Sequence, residues 1–439
     1  MSDAPSNPSR RRLLWAGGGL GALIAGGALL RPGDHGGAHT PYFLALQAAL
    51  AEAGLYRPTL VIDKARLDSN IGKLTQHING NFDYRIVGKS LPSLPLINTV
   101  RAQTGTDRVM VFHQPFLNLL ARDMPDAKLL LGKPMPVKMA QRFYEFHPAD
   151  SAFQPDRQLQ WLIEGPERLQ EYRQLAQALQ QPMRINLELD VGLHRGGFTD
   201  ARDVAKAIEV LQADPLLSFS GFMGYEAHVS KMPGIVGGPP KALEAAMGFY
   251  RDCVAAAQDV LKDAFDPATL TLNAGGSSTY QMYQPQMFGG PAPCNELAPG
   301  SALVMPTDFD VPSLNDHVPA AFIATPVIKA LDKTQIPGLE SAAGLLSAWD
   351  PNTARTFFTY GGYWKSRPES PAGLQTNSLF GRSTNQEMLN GSESVQLKRD
   401  DFVFLRPSQS EFVFLQFGNI AVFDGEHISE VWPVFQQGA

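Results

Sequence analysis

From about residue 55 to 306 the chain repeats one theme: a short run rich in Val, Ile and Leu, then a polar-patterned stretch long enough for a helix. This alternation restricts the fold more than any other feature. The runs are TLVID (59–63), YRIVGK (84–89), RVMVF (108–112), AKLLLG (127–132), LQWLIE (159–164), RINLELDV (184–191), FSGFMGY (219–225), TLTLNAGG (269–276) and SALVMP (301–306). Amphipathic segments such as Asp200–Gln212 and Pro240–Lys262 separate them. Apolar strands divided by helices predict a parallel sheet covered on both faces. Eight such units close an α/β (β/α)8 TIM-type barrel, with functional groups at the C-terminal ends of its strands. Nine runs are one too many, and composition does not say whether the first or the last is surplus.

Beyond residue 307 the pattern changes. Residues 315–380 lack periodicity, and FVFLRP, EFVFLQFG, IAVFDG and ISEVWPVF then read as closely spaced strands, one turn being Asp424-Gly425. The expected organisation is a barrel over 56–306 and an antiparallel β domain over 307–439. Ser9-Arg10-Arg11-Arg12 precedes an apolar, glycine-rich run from Leu13 to Leu30. That is the pattern of a twin-arginine export signal leading to the periplasm, or of a membrane anchor, since 18 apolar residues just span a bilayer. Residues 1–37 are accordingly set outside the expected fold.

A net charge of -6 gives no basic footprint for nucleic acid, so small molecules are the expected partners. Cys253 and Cys294 lack metal-ligand spacing and read as two thiols or a single disulfide.

Candidate functional residues gather at predicted strand ends. Lys89 closes YRIVGK, either snorkelling from the barrel rim or serving as an amine nucleophile activated by partial burial. Gly275, Gly276, Ser277, Ser278 and Thr279 follow a late strand, where two glycines and three hydroxyls suit either an anion cradle or an unliganded turn. Arg195 lies among glycines after LELDV, where it reaches into the barrel mouth or pairs with Asp190. Tyr225 and His228 follow FSGFMG, and a lone histidine there is weak by itself.

Taken together and in order, RIVGK, LELDVGLHRGGF, GFMGYEAH and NAGGSST resemble the fold-type III pyridoxal-phosphate enzymes, nearest the D-threonine aldolase and D-serine dehydratase-like group within the alanine-racemase-like barrels. NELAPGSALVMPTDFD and the closing GNIAVFDGEHISEVWPVF extend the resemblance over about residues 56–439. It implies that Lys89 carries pyridoxal 5'-phosphate, with Arg85, Arg195 and Tyr225 near the cofactor and Gly275–Thr279 around its phosphate. It also implies that TLVID leaves the barrel for the β domain, and that the protein forms a homodimer. Three positions depart from the family pattern. Ala298 stands where racemases carry an arginine before Pro-Gly. Ile86-Val87-Gly88 lacks the usual histidine between Arg85 and Lys89. Gln409 replaces the metal-binding histidine ahead of Glu411, leaving an amide and a carboxylate suited at best to a hard divalent cation.

The resemblance implies a lyase acting on D-3-hydroxy amino acids, an aldolase or a dehydratase, with His228 as base on the β-hydroxyl and Glu411 as the second candidate. A racemase using Tyr360 or Tyr363 for the opposite face is the alternative. A further alternative is an exported binding protein without turnover.

Overall fold

The computed structural model of the protein describes residues 31–78, 80–284, 288, 292–335, 348–377 and 381–437. The arginine-rich leader and its apolar run lie outside them. Among the described residues no helix is long and apolar enough to cross a membrane. Gly33–Gly37, expected outside the fold, are tied into it. Asn352 donates to the Gly33 carbonyl at 2.8 Å and accepts the His35 amide at 2.9 Å, and the Gly37 amide donates to Ala372 at 3.2 Å.

The chain divides into two compact units. One joins the residues up to Pro58 with Ala324–Leu405, and the other joins Thr59–Ile323 with Arg406–Ala439. The expected break at 306/307 is therefore not where the chain changes unit. It crosses within β11 (Ala321–Leu331) and again within β16 (Phe402–Pro407).

The larger unit contains a parallel sheet in the order β2 (Asp83–Tyr84), β10 (Glu296–Leu297), β9 (Thr271–Ala274), β8 (Leu217–Gly224), β7 (Met183–Leu189), β6 (Leu159–Ile163), β5 (Lys128–Leu131), β4 (Arg108–Val111), β3 (Ile86–Val87). β2 and β3 are one strand interrupted only at Arg85, whose amide still donates to the Leu297 carbonyl at 2.9 Å. Joined through it, the sheet closes on itself as an eight-stranded barrel. β1 (Thr59–Asp63) stands outside the barrel and pairs in parallel with β17 (Asn419–Phe423), which forms an antiparallel hairpin with β18 (Ile428–Pro433). By contacts the runs IAVFDG and ISEVWPVF group with the barrel's unit, while in strand order they and β1 continue the sheet that runs through β11, as the resemblance implied for TLVID. SALVMP is not a strand. Its Ser301–Leu303 form a buried 3-10 turn, and the eighth strand is the two-residue β10.

Helices cover the barrel as their periodicity requires. In Ala201–Gln212 the buried positions are Val204, Ala207, Ile208 and Leu211, one stripe of an amphipathic helix, and the Asp200 side chain caps its start by accepting the Arg202 amide. The barrel interior holds a polar layer. Gln160 on β6 donates to Thr271 on β9 at 2.8 Å, a reach between non-neighbouring strands that is possible only through the inside.

The second unit is built on antiparallel pairing. β12 (Arg355–Thr359) lies between β11 and β15 (Met388–Gly391), and β14 (Gln375–Thr376) extends the sheet beyond β15. β13 (Ser366–Ser370) joins through β16, which also pairs with β11. The helix Pro41–Glu52 belongs to the same unit. Cys253 and Cys294 are both buried, free thiols.

Candidate active site

A cavity opens at the C-terminal ends of the barrel strands, the end at which such barrels carry their chemistry. Its wall includes Lys89, Phe112, Tyr225, Gly276, Ser277 and Glu411. A second, outer cavity shares Lys89, Arg195, Tyr225 and Glu411 with the first and adds Ser278 and Gln409. The two therefore form one inner chamber with a vestibule.

Lys89 follows β3 after Gly88, whose amide extends the pairing by donating to Met110 at 2.9 Å. The Lys89 ammonium lies 4.7 Å above the Phe112 ring and 3.4 Å from a Glu411 oxygen. The other Glu411 oxygen is buried without a hydrogen-bond partner. Cation and carboxylate thus share the wall, with part of the carboxylate still available to a ligand.

The turn after β9 lines the same cavity, one strand removed from the strand that carries Lys89. Gly275 adopts φ +68°, a conformation that excludes most side chains, and a Cβ on Gly276 would sit 2.6 Å from the Tyr225 ring. The Ser277 hydroxyl accepts the amides of Gly300 and Ala302, each at 3.0 Å. Among the described residues, the amides of Ser277 and Ser278 have no acceptor. Thr279 does not face the chamber. It is buried, and its hydroxyl donates to Glu226. Gly275, Gly276 and Ser277 therefore line the inner cavity, Ser278 the outer, and Thr279 anchors the turn from behind.

Arg195 is exposed, with its guanidinium 5.2 Å from the Tyr225 ring centre. The Tyr225 hydroxyl is pushed up to about 12 by burial, with the Glu226 carboxyl adding to it and Arg195 opposing. Glu188, at the end of β7, is raised to about 7 by burial, which Arg195 only partly offsets.

Arg85 is not part of this chamber. Its side chain is 1% exposed and lies in the barrel interior, bonded to Glu296 at 2.5 and 2.9 Å and to the carbonyls of Val109 and Lys128. Burial would push Glu296 up, but Arg85, Arg108 and Asn273 together hold it below the usual range. An arginine with this many partners braces the barrel below the site, whereas the resemblance placed it near the cofactor. His228 lines neither cavity. It packs against Gly192, its Nδ1 is buried without a partner, and burial lowers its proton affinity. Gln409 and Glu411 both line the outer cavity; among the described residues no cluster of three or more His, Cys, Asp or Glu is placed to hold an ion.

Sequence reasoning missed Glu226, Ser90 and Ser301. Ser90 and Ser301 line the inner cavity and are joined hydroxyl to hydroxyl at 3.2 Å, with Ser410 3.1 Å from Ser301. Isolated serines carry no signal of this kind. Glu226, directly after Tyr225 in GYEAH, could have been suspected as an acid next to an apolar strand.

A closed α/β barrel with a lysine and a glycine-serine turn lining one cavity at its mouth, together with a separate antiparallel sheet, is the architecture of the fold-type III class. The alanine racemase N-terminal domain family matches residues 62–308, and the chain belongs to that family. Its structure is similar to that of a D-threonine aldolase from Filomicrobium marinum, with TM-score 0.67 and 14% identity, covering 86% of this chain and 94% of that one. It is also similar to the D-threo-3-hydroxyaspartate dehydratase from Delftia sp. HT23, with TM-score 0.61 and 16% identity over 87% and 98% of the two chains. The alanine racemase of Clostridium difficile 630 in complex with cycloserine aligns with TM-score 0.60 and 12% identity over 85% and 97%. At these identities the likeness is one of fold. No curated protein sequence matches the chain.

Proposed function

We propose that the protein is a pyridoxal-phosphate-dependent lyase acting on D-3-hydroxy amino acids. The observation carrying this reading is that Lys89 and the Gly275–Ser278 turn line one continuous chamber. The residues present fit the cofactor. Unpaired amides at Ser277 and Ser278 suit its phosphate, and an amine lining the same chamber suits its aldehyde. When bound, that group supplies an electron sink for negative charge at the substrate Cα.

The chain's own residues do the rest. Arg195 brings an exposed positive charge to the vestibule, where a substrate carboxylate enters. Glu411, with one oxygen beside Lys89 and the other unpartnered, takes the role of base on the β-hydroxyl; His228, outside the cavity wall, does not. Ala298, which lines the chamber without charge, supports a lyase over a racemase. The structural neighbours that are titled an aldolase and a dehydratase add support.

Wild type and Lys89→Ala are compared by absorbance before and after borohydride. Turnover is then followed over D- and L-3-hydroxy amino acids in deuterated water, scoring aldehyde, ammonia and enantiomer. The variant is expected to lose the cofactor band and at least about a thousandfold in rate, the scale seen when a covalent nucleophile is removed. Racemisation without a carbonyl product, or an unchanged band in the variant, rejects the reading.

A further inference from the structure

The acid next to Tyr225 takes no part in the cavity wall, yet it is sealed directly behind the anion turn. Glu226 is fully buried. Its Oε2 accepts the Gly275 amide at 3.3 Å, and Thr279 donates its hydroxyl to Oε1. The titratable groups that face it are all acids. They are Tyr225 on its own segment, Tyr250 on the helix Gly238–Leu261, Tyr283 just past the 3-10 turn Tyr280–Met282, and Cys294 before β10. None of its described partners is a cation, and Arg195 lies beyond the intervening Tyr225 ring. Burial without a counter-charge pushes the Glu226 carboxyl up from the usual carboxylate range.

This placement matters because the turn has two sides. Behind it, Glu226 holds Gly275 and Thr279. In front, the free amides of Ser277 and Ser278 lie within the same five residues. An ionised carboxylate behind the turn and an anion before it would repel one another at close range, in an interior that salt screens little. A neutral Glu226 still accepts the Gly275 amide at Oε2, donates its own proton from Oε1 to a Thr279 hydroxyl turned from donor to acceptor, and removes that repulsion.

We propose that Glu226 is a proton-carrying positioning residue of the anion site, so that phosphate binding in the turn takes up a proton and weakens once Glu226 ionises. This rests on reading the turn as the phosphate holder. The sign follows from linkage. The bound state holds more protons than the free state, so affinity falls with rising pH wherever free Glu226 has lost its proton and the complex has kept it.

The test uses the full chain carrying Lys89→Ala, so that covalent attachment adds nothing. Pyridoxal phosphate and inorganic phosphate are each titrated calorimetrically, in two buffers of different ionisation enthalpy, at several pH values above the ligands' own second ionisation near about 6. The expected result is uptake of up to about one proton per ligand, with affinity falling by up to about tenfold per pH unit. Adding Glu226→Gln, whose amide oxygen accepts the Gly275 amide and whose NH2 donates to a Thr279 hydroxyl turned to accept, removes the ionisation and is expected to keep binding while abolishing proton uptake and pH slope. Binding without proton uptake where Glu226 is intact, or the same uptake in the Glu226→Gln variant, overturns the inference alone. The first measurement decides even where the Glu226→Gln variant does not fold. Absence of binding by either ligand at every pH overturns the reading of the turn as well.

Discussion

Two loops leave strand ends of the barrel that only β8 separates, and they treat their residues in opposite ways. The turn Gly275–Thr279 after β9 is buried, with only Ser278 partly exposed, and is fastened by Glu226 behind it and by the amides of Gly300 and Ala302 at Ser277. The loop Asp190–Gly197 after β7 is fastened at its stem, where Asp190 and Phe198 are joined by a backbone bond and Asp190 accepts the amides of Gly192 and His194. Its tip, His194 to Gly196, is exposed and rich in positive φ. The first loop holds a shape that an anion can find ready-made, which saves ordering cost on binding. The second presents charge to solvent and leaves its geometry to whatever arrives.

The sharpest way to break this contrast is to add one methyl group to each loop. Gly276→Ala drives a Cβ into the Tyr225 ring. Overpacking of this kind costs about 1–3 kcal/mol, so phosphate affinity is expected to fall roughly 5- to 150-fold where that cost falls on the bound state. Gly196→Ala meets nothing within 4 Å but sits at φ +122°. It is expected to lower stability by about 1–3 kcal/mol while leaving phosphate affinity within about twofold. Equal affinity losses in titrations of the two variants would erase the distinction between a built wall and an open arm.

A middle-sized effect is expected at Glu188, where β7 meets the exposed loop. Its carboxyl titrates near 7 in the fold, raised from an unfolded value near about 4.3. The folded state therefore binds the extra proton between these values, and the stability this contributes is lost as pH rises through about 7. Glu188→Gln should leave the melting temperature unchanged near about pH 4 and raise it by a few degrees at about pH 8. A shift of equal size at both pH values would contradict the assignment. The smallest structural effect belongs to Arg195→Ala. Arg195 is exposed and has no ion pair among the described residues, so its loss should move the melting temperature by under about 1 °C while raising substrate KM about tenfold. A larger stability loss than KM change would make the arginine part of the scaffold.

What could be read from the residues alone follows the range of the forces involved. Periodicity is local, so the alternating barrel was legible, and so was the gathering of Lys89, Tyr225 and Gly275–Ser278 at strand ends, where they line the cavities. β10 was not, because two residues carry no period, and the apolar SALVMP beside it was the stronger strand signal. The misplacement of Arg85 has a different cause. Its partner Glu296 lies 211 positions away, and nothing local distinguishes an arginine bound inside the barrel from one at the rim. His228 failed on direction, since a residue after a strand end can turn toward the mouth or back beneath a loop. The fate of Glu226 depended on burial, which one acid in GYEAH does not announce.

The seam at Arg85 bears on how the chamber comes into being. The strand that carries Lys89 meets β10 on one side of this residue and β4 on the other, and β10 alone stands between it and the strand that ends in the anion turn. Amine and turn sit far apart along the chain, so only final closure of the sheet brings them into one cavity. Contacts between segments so distant form at high loop-closure cost. Under the proposed function, grip on a phosphate-bearing aldehyde would report that the ring of strands has shut, because a partly assembled chain offers either the amine or the turn, but not the two together.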